Sequence, residues 1–260
     1  RLGPLVPPDA RLLLHGRFNG RDRLRKEREV LAATGLGAAR RPLVVVATQV
    51  VEVSLNLDLD ALFSDPAPLE ALVQRFGRVN RGRRPELAPV HVFSEPADGQ
   101  GVYLPDLVAA ALEVLRAWDG EPVDEAAVQD WLDRVYAGER ARAWCQRYDK
   151  AAAEFRAAFL DHLRPFASAS ELAVAEEAFE RLFDATEVLP ACLEDEYRSL
   201  REERPLEASR LLVPVSYRRW QALQRAGRVV SAPGRWPRVV DVPYTPELGL
   251  AEAPEAAAGE

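Results

Sequence analysis

Leu43-Val44-Val45-Val46-Ala47-Thr48-Gln49, together with the chain from there to Gln74-Arg75-Phe76-Gly77-Arg78-Val79-Asn80-Arg81, decides the fold. A short β-branched run that ends in Thr48-Gln49 reads as a buried strand of a parallel sheet, with polar groups at its carboxyl end. Crevices outside such strand ends are where α/β proteins bind ligands. A second apolar run, Leu59 to Phe63, is interrupted by Asp60 and ends at Ser64-Asp65. Pro66 and Pro68 then open a helix. Arginines three apart share a helix face, so Arg75, Arg78 and Arg81 are predicted to form one cationic stripe, with Gln74 beside it. Guanidinium groups grip phosphate oxygens in pairs and stay charged at any working pH. An isolated arginine cluster is as readily a solvated face paired with acids. Strand, polar loop, strand and arginine helix together point to phosphate handling.

These segments resemble superfamily 2 helicases. Ala47 to Asp58 is similar to their motif V, and Gln74 to Arg81 to their motif VI. Leu12-Leu13-Leu14-His15-Gly16-Arg17-Phe18, with Arg23 and Glu27, matches motif IV. The step at Asp65 to Pro68 makes the pattern most similar to the CRISPR-associated helicase–nuclease of type I systems. Val242 to Leu250 looks like that family's closing strand. The specific motifs cover residues 12 to 93. The implied fold is α/β: part of a second RecA-like lobe, a parallel sheet with flanking helices, then a mainly helical region with a few strands.

The resemblance implies roles. Arg78 and Arg81 would be arginine fingers to the γ-phosphate of ATP and its Mg2+, held mainly by a first RecA-like lobe, with Gln74 close to that phosphate or the attacking water. Arg75, Asn56 and Asp58 would face the nucleotide, and Glu52 would couple sites by pairing with an arginine. Thr48 and Gln49 would touch the backbone of single-stranded DNA; Arg17 is open between a structural and a phosphate contact. Asn56 stands where the family carries aspartate, keeping an acceptor but losing charge; Asp58 is the candidate stand-in. Implied partners are the first lobe, a nuclease domain and a CRISPR RNA-guided surveillance complex. Two alternatives stay open: a lobe of another superfamily 2 helicase, or a catalytically inactive relic or subunit.

Of the 260 residues, 48% are hydrophobic and 29% charged, ordinary for a soluble globular protein. No apolar run suits a membrane span or a signal peptide, so a cytoplasmic protein is expected. Cys145 and Cys192 lack metal-ligand spacing and read as reduced thiols in a helical core; the histidines are scattered, so this chain is expected to bind no metal alone. There is no methionine, and neither lysine, Lys26 or Lys150, sits in a phosphate-cradling G-x-x-x-x-G-K-[ST] loop. The chain therefore reads as a piece of a longer protein that alone should not hydrolyse ATP.

Charge divides the chain. Residues 1–96 carry 15 basic against 11 acidic residues, and the rest 19 against 30. The expected organisation is a helicase lobe over 1–96, a helical region over 97–205, a strand-containing domain over 206–250 and a disordered tail over 251–260. Helical spacing predicts a stripe of Leu107, Ala111, Leu112, Leu115 and Trp118, then a helix from Asp124 with Val128, Trp131, Leu132 and Val135 inside. A long helix over 139–163 would bury Trp144, Tyr148, Phe155 and Phe159, and another would run over 170–182. Strands are expected over 209–215 and 239–242, with a helix over 216–226 between them. Arg218, Arg219, Arg225, Arg228, Arg235 and Arg238 with Trp220 and Trp236 could form a basic–aromatic patch, but a solvated edge with two core tryptophans is the preferred reading.

Overall fold

The computed structural model describes residues 5–52, 55–95, 102–162, 168–182, 186–232 and 234–252. The tail expected at 251–260 falls largely outside them. In chain order the elements are β1 (Arg11–Leu14), α1 (Gly20–Thr34), β2 (Val44–Ala47), β3 (Leu62–Ser64), α2 (Leu69–Phe76) and β4 (Val90–Val92). Then come α3 (Pro105–Arg116), α4 (Glu125–Val135), α5 (Gly138–Ala158), α6 (Ala169–Leu182), β5 (Thr186–Pro190), α7 (Glu194–Glu203) and α8 (Pro205–Ser209). The last are β6 (Val213–Val215), α9 (Tyr217–Arg225), β7 (Val239–Val240), β8 (Tyr244–Thr245) and β9 (Gly249–Leu250). This is the expected mixed α/β fold with small sheets. It divides into two compact units: residues 1–10, 29–44 and 49–149 in one, residues 11–28, 45–48 and 150–260 in the other.

In the first unit β3 and β4 run parallel, Leu62 opposite Val90 and Ser64 opposite Val92. A parallel pair needs a crossover, and α2 lies in the intervening chain. The core forms where α2, α3 and α4 meet. Ala67, Leu69, Leu72, Ala111, Trp131 and Val135 are each at most 1% exposed. Alanines at that contact let the helices approach closely, and Trp118 meets Trp131 edge to face at 5.6 Å. Asp124 caps α4, its carboxylate accepting from the Ala127 N–H at 2.7 Å. The stripes expected on α3 and α4 are thus in place, packed on the arginine-bearing helix.

Helix α5 departs from expectation. None of its described residues is buried, and Trp144 and Tyr148 are 43% and 71% exposed. Trp144 touches Tyr136 by its edge at 5.9 Å, while Phe155 stacks on Phe159. The periodicity is real, but no sheet or helix of the described chain covers that stripe enough to bury it. Cys145 on this helix and Cys192 are free and exposed, not core thiols.

The second unit has β5 at the centre of a three-stranded sheet, antiparallel to β6 and parallel to β7. Val188, Val213, Leu223 and Val240 are fully buried around it. β5 escapes a sequence reading because Thr186-Glu187-Val188-Leu189-Pro190 is short and ends in proline. The strand expected over 209–215 begins only at Val213, since the chain before it is still turning out of α8. Ser216 caps α9 by accepting from the Arg219 N–H at 3.1 Å. The expected closing strand is a hairpin, β8 antiparallel to β9. It is fastened to residues 15–26. The Leu250 N–H donates to the Arg17 carbonyl at 2.8 Å, the Tyr244 hydroxyl to Asp22 at 2.7 Å, and Lys26 Nζ to the Glu247 carbonyl at 3.2 Å. Gly249 sits at φ +72, and a Cβ there would lie 2.6 Å from the Arg17 carbonyl oxygen. Among the described residues no helix is long and apolar enough to cross a membrane.

Candidate functional site

Helix α2 ends sooner than the arginine spacing suggests. Gly77 closes it, its N–H donating to Val73 O at 3.0 Å, and Arg78 already lies in the turn beyond. Asn80 then adopts φ +46 and reverses the chain. Asparagine tolerates that left-handed conformation, and its side chain secures the turn. Asn80 Oδ1 accepts from the Arg84 N–H at 2.8 Å, and Nδ2 donates to the Glu86 carbonyl at 3.0 Å. The single stripe of Arg75, Arg78 and Arg81 therefore does not form. The three guanidinium groups have three different surroundings.

Arg75 is enclosed. Its Nε donates to Glu52 Oε1 at 2.8 Å, Nη1 to Ser64 Oγ at 2.8 Å and to the Asp65 carbonyl at 3.2 Å, and Nη2 to the Tyr103 hydroxyl at 3.0 Å. The side chains of Arg75 and Glu52 are only 15% and 12% exposed. Arg75, expected to face a nucleotide, is instead saturated by protein partners that tie α2 to β3 and to the segment ahead of α3.

Arg78 grips the loop before β3. Its Nη1 donates to the Leu55 carbonyl at 2.7 Å and its Nη2 to the Glu52 carbonyl, while Nε is buried without a partner. Burial first, and then the charge of Arg81, push its pKa down. The backbones beside it are also joined: Leu59 bridges Val79 in parallel, its N–H donating to Arg78 O at 2.8 Å, and the Asn80 N–H donates back to Leu59 O at 3.0 Å. The two motif-like segments, far apart in sequence, lie side by side.

Asp58 is buried between Arg40 at 2.8 Å and Arg84 at 3.4 Å, and Asp60 pairs with the same two arginines. Hydrogen bonds from Arg84 and then Arg40 hold the Asp60 carboxyl below its usual range. A carboxylate so committed does not replace the aspartate that Asn56 lacks. By contrast Gln74, Arg81 and Asn56 are exposed, and their side chains have no hydrogen-bond or ion-pair partner among the described residues. Gln49 is likewise exposed in the turn after β2. Ser54 of the same loop lies outside the described residues.

In the second unit Thr48 is exposed just past β2, its N–H donating to the Leu14 carbonyl at 3.2 Å. Arg17 is paired with Glu252. Among the described residues no cluster of histidine, cysteine or carboxylate could hold a metal ion. Sequence reasoning did not find the roles of Asn80, Tyr103, Arg40 and Arg84. An asparagine after a helix-ending glycine was the one signal available, since the others depend on distant chain.

Comparison with known proteins bears on these segments. Residues 5–84 match the family model described as CRISPR-associated nuclease/helicase Cas3, C-terminal. The CRISPR-associated nuclease/helicase Cas3 of Streptococcus thermophilus is 44% identical over 84 residues, which are 31% of this chain and 9% of that protein. The crystal structure of T. fusca Cas3-ATP superimposes with a TM-score of 0.61 at 22% identity, covering 93% of this chain and 33% of that one. A chain solved in a CRISPR RNA-guided surveillance complex, pre-nicking, superimposes with a TM-score of 0.55 at 22% identity over 94% of this chain and 35% of that one. The chain thus spans about a tenth of the curated relative and about a third of the solved chains. Over residues 5–84, which carry the paired segments and the turn at Asn80, this chain is similar to the C-terminal part of the Cas3-type CRISPR nuclease/helicases.

Proposed function

We propose that this chain supplies the second-lobe side of an ATP-driven DNA motor in CRISPR defence. The observation that carries the reading is the division of labour within Gln74–Arg81. Arg75 and Arg78 are spent on holding the lobe together, while Arg81 and Gln74 are exposed and unpartnered among the described residues. These residues suit one side of a polyphosphate. They lack the glycine-rich lysine loop that cradles β and γ phosphates and a carboxylate cluster for Mg2+, so ATP and its Mg2+ would be bound mainly by a first lobe. ATP bound there supplies the phosphoryl chemistry.

Arg81 then acts as the arginine finger, stabilising charge on the transferring phosphate, and Gln74 orients the attacking water. Arg78 would join it by exchanging the Leu55 and Glu52 carbonyls for phosphate oxygens, which would link nucleotide contact to movement of Glu52 and Leu55. Glu52 transmits that movement through Arg75. Thr48, Gln49 and Arg17 contact the backbone of single-stranded DNA, and the duplex so opened passes to a nuclease domain. The solved relative in an RNA-guided surveillance complex supports such an assembly as the recruiting partner.

The test is Arg81→Ala in the protein assayed with its first lobe present. DNA-stimulated ATP turnover should fall by roughly 10³-fold or more, with DNA affinity little changed. Turnover within a few-fold of the parent would remove Arg81 from the finger role.

A further inference from the structure

A cleft of about 310 Å³ opens in the second unit between α7 and the chain leading into β7. Tyr197, Arg198 and Arg201 of α7 line one side, and Ser231, Arg235 and Trp236 the other. Three arginines thus face one carboxylate, Glu194, which already pairs with Arg198 at 2.5 Å. Arg201 and Arg235 are exposed and their side chains have no partner among the described residues. Trp236 is 50% exposed, with Arg238 5.8 Å from its ring. Tyr197 is 7% exposed, yet its hydroxyl makes no hydrogen bond among the described residues.

The basic–aromatic patch read from sequence does not assemble as written. Trp220 is 8% exposed, Arg219 is held by the Ala251 carbonyl, and Arg228 pairs with Asp241. The fold instead joins Arg235 and Trp236 to two arginines of a helix some thirty-five residues earlier. Half-exposed indole, unpaired guanidinium groups and an unpartnered phenol in one cleft match a base with its phosphate. A base stacks on indole, and guanidinium groups take the phosphate oxygens. An acidic peptide would use the arginines but leave the indole idle.

We propose that this cleft binds a nucleotide of single-stranded nucleic acid, the base on Trp236 and the flanking phosphates on Arg201 and Arg235. It gives the second unit a grip on the strand besides the one proposed at Thr48. Ser231 shapes the cleft from below, its Oγ accepting from the Val239 N–H at 3.2 Å.

The experiment uses the full chain without ATP, so its outcome is independent of the motor reading. Binding of a fluorescein-labelled oligothymidylate is followed by anisotropy at several salt concentrations. In parallel, an oligonucleotide carrying 5-iodouracil is photo-cross-linked and the adduct mapped by mass spectrometry. Trp236→Ala should weaken binding about 5- to 160-fold, the range that stacking of one base supplies. Arg201→Ala/Arg235→Ala changes two exposed side chains and should keep the parent's melting profile. It should lower the slope of log K against log salt by about 1.4, roughly 0.7 for each phosphate that is no longer neutralised. The cross-link should map to Trp236. Unchanged affinity and slope in both variants, with cross-links only elsewhere, would overturn the proposal. So would full competition by free thymidine monophosphate, which would make the cleft a mononucleotide site. Displacement by polyglutamate, with only the arginine variant affected, would assign the cleft to an acidic protein partner.

Discussion

The Arg75–Glu52 pair shows how much a single side chain holds in place. Both groups are nearly buried, and removing one leaves the other charge without its counterpart. Arg75→Ala should therefore lower the unfolding free energy of its unit by about 3–5 kcal/mol, read from urea denaturation. Arg75→Lys should recover little, because an ammonium cannot reach Glu52, Ser64 and Tyr103 together. A loss below about 1 kcal/mol would show the pair to be solvated. His15 makes a second residue-scale case. It is 5% exposed, stacked on Phe18 at 4.5 Å, with Nδ1 accepting from the Arg17 N–H. Burial first, then the charges of Arg17 and Lys26, push its pKa below 6.5. The unfolded chain then binds a proton that the folded one refuses, so stability is full above pH 6.5 and falls as the pH drops below it. His15→Phe should flatten that acid limb of the urea midpoint, and an unchanged limb would assign it to other groups. What the sequence showed at this scale was residue type: that Gln74 to Arg81 mattered. Which arginine stays free was not legible, because it depends on carbonyls at 52 and 55 and a phenol at 103 that only folding brings near.

At the scale of elements, local chemistry was legible where a cap or a proline marks α2, α4 and α9. Asp124 and Ser216 begin α4 and α9 as read, and Pro68 precedes α2. Asp124→Ala should cost about 1 kcal/mol, measured as a shift in the urea midpoint. Limits were harder to read than existence. The runs 59–63 and 209–215, read as strands, shrink to three residues each in β3 and β6, because pairing partners set their limits. The stripe on α5 was legible and misleading, since periodicity reports an apolar face without reporting its cover. Glycines give a sharper contrast. Gly249 and Gly227 both have positive φ, at +72 and +66, but a Cβ meets the Arg17 carbonyl only at 249. Gly249→Ala should destabilise clearly more than Gly227→Ala, which carries only the backbone strain of about 1 kcal/mol. Equal melting shifts for the two would mean that the hairpin yields.

At the scale of the whole molecule, the described residues form three hydrophobic clusters: one of α2, α3 and α4 around Trp131, and two beside β5, around Leu223 and around Leu211. Native-state hydrogen exchange should give different opening free energies for the amides of α2 and of β5, whereas one shared value would make the chain a single cooperative block. The second unit does not follow the order of the chain. The expected organisation placed consecutive stretches in consecutive domains, while the second unit takes in residues 11–28 and 45–48 together with 150–260. Composition changes along a chain are visible in sequence, but a return of distant chain to an early strand leaves no local mark.

That return sets a clock on biosynthesis. Arg17 and Glu252 are 235 positions apart, and the hairpin that bonds to the Arg17 carbonyl belongs to the same late stretch. At about 5–20 residues per second, β1 and the start of α1 leave the ribosome roughly 12–50 s before their fasteners are made. During that interval Leu12, Leu14 and Phe18, all buried in the finished fold, have only part of their cover. Truncation just before Tyr244 would make that interval permanent, and a nascent-chain holdase should find its binding site around Leu12 to Phe18 rather than around Tyr244.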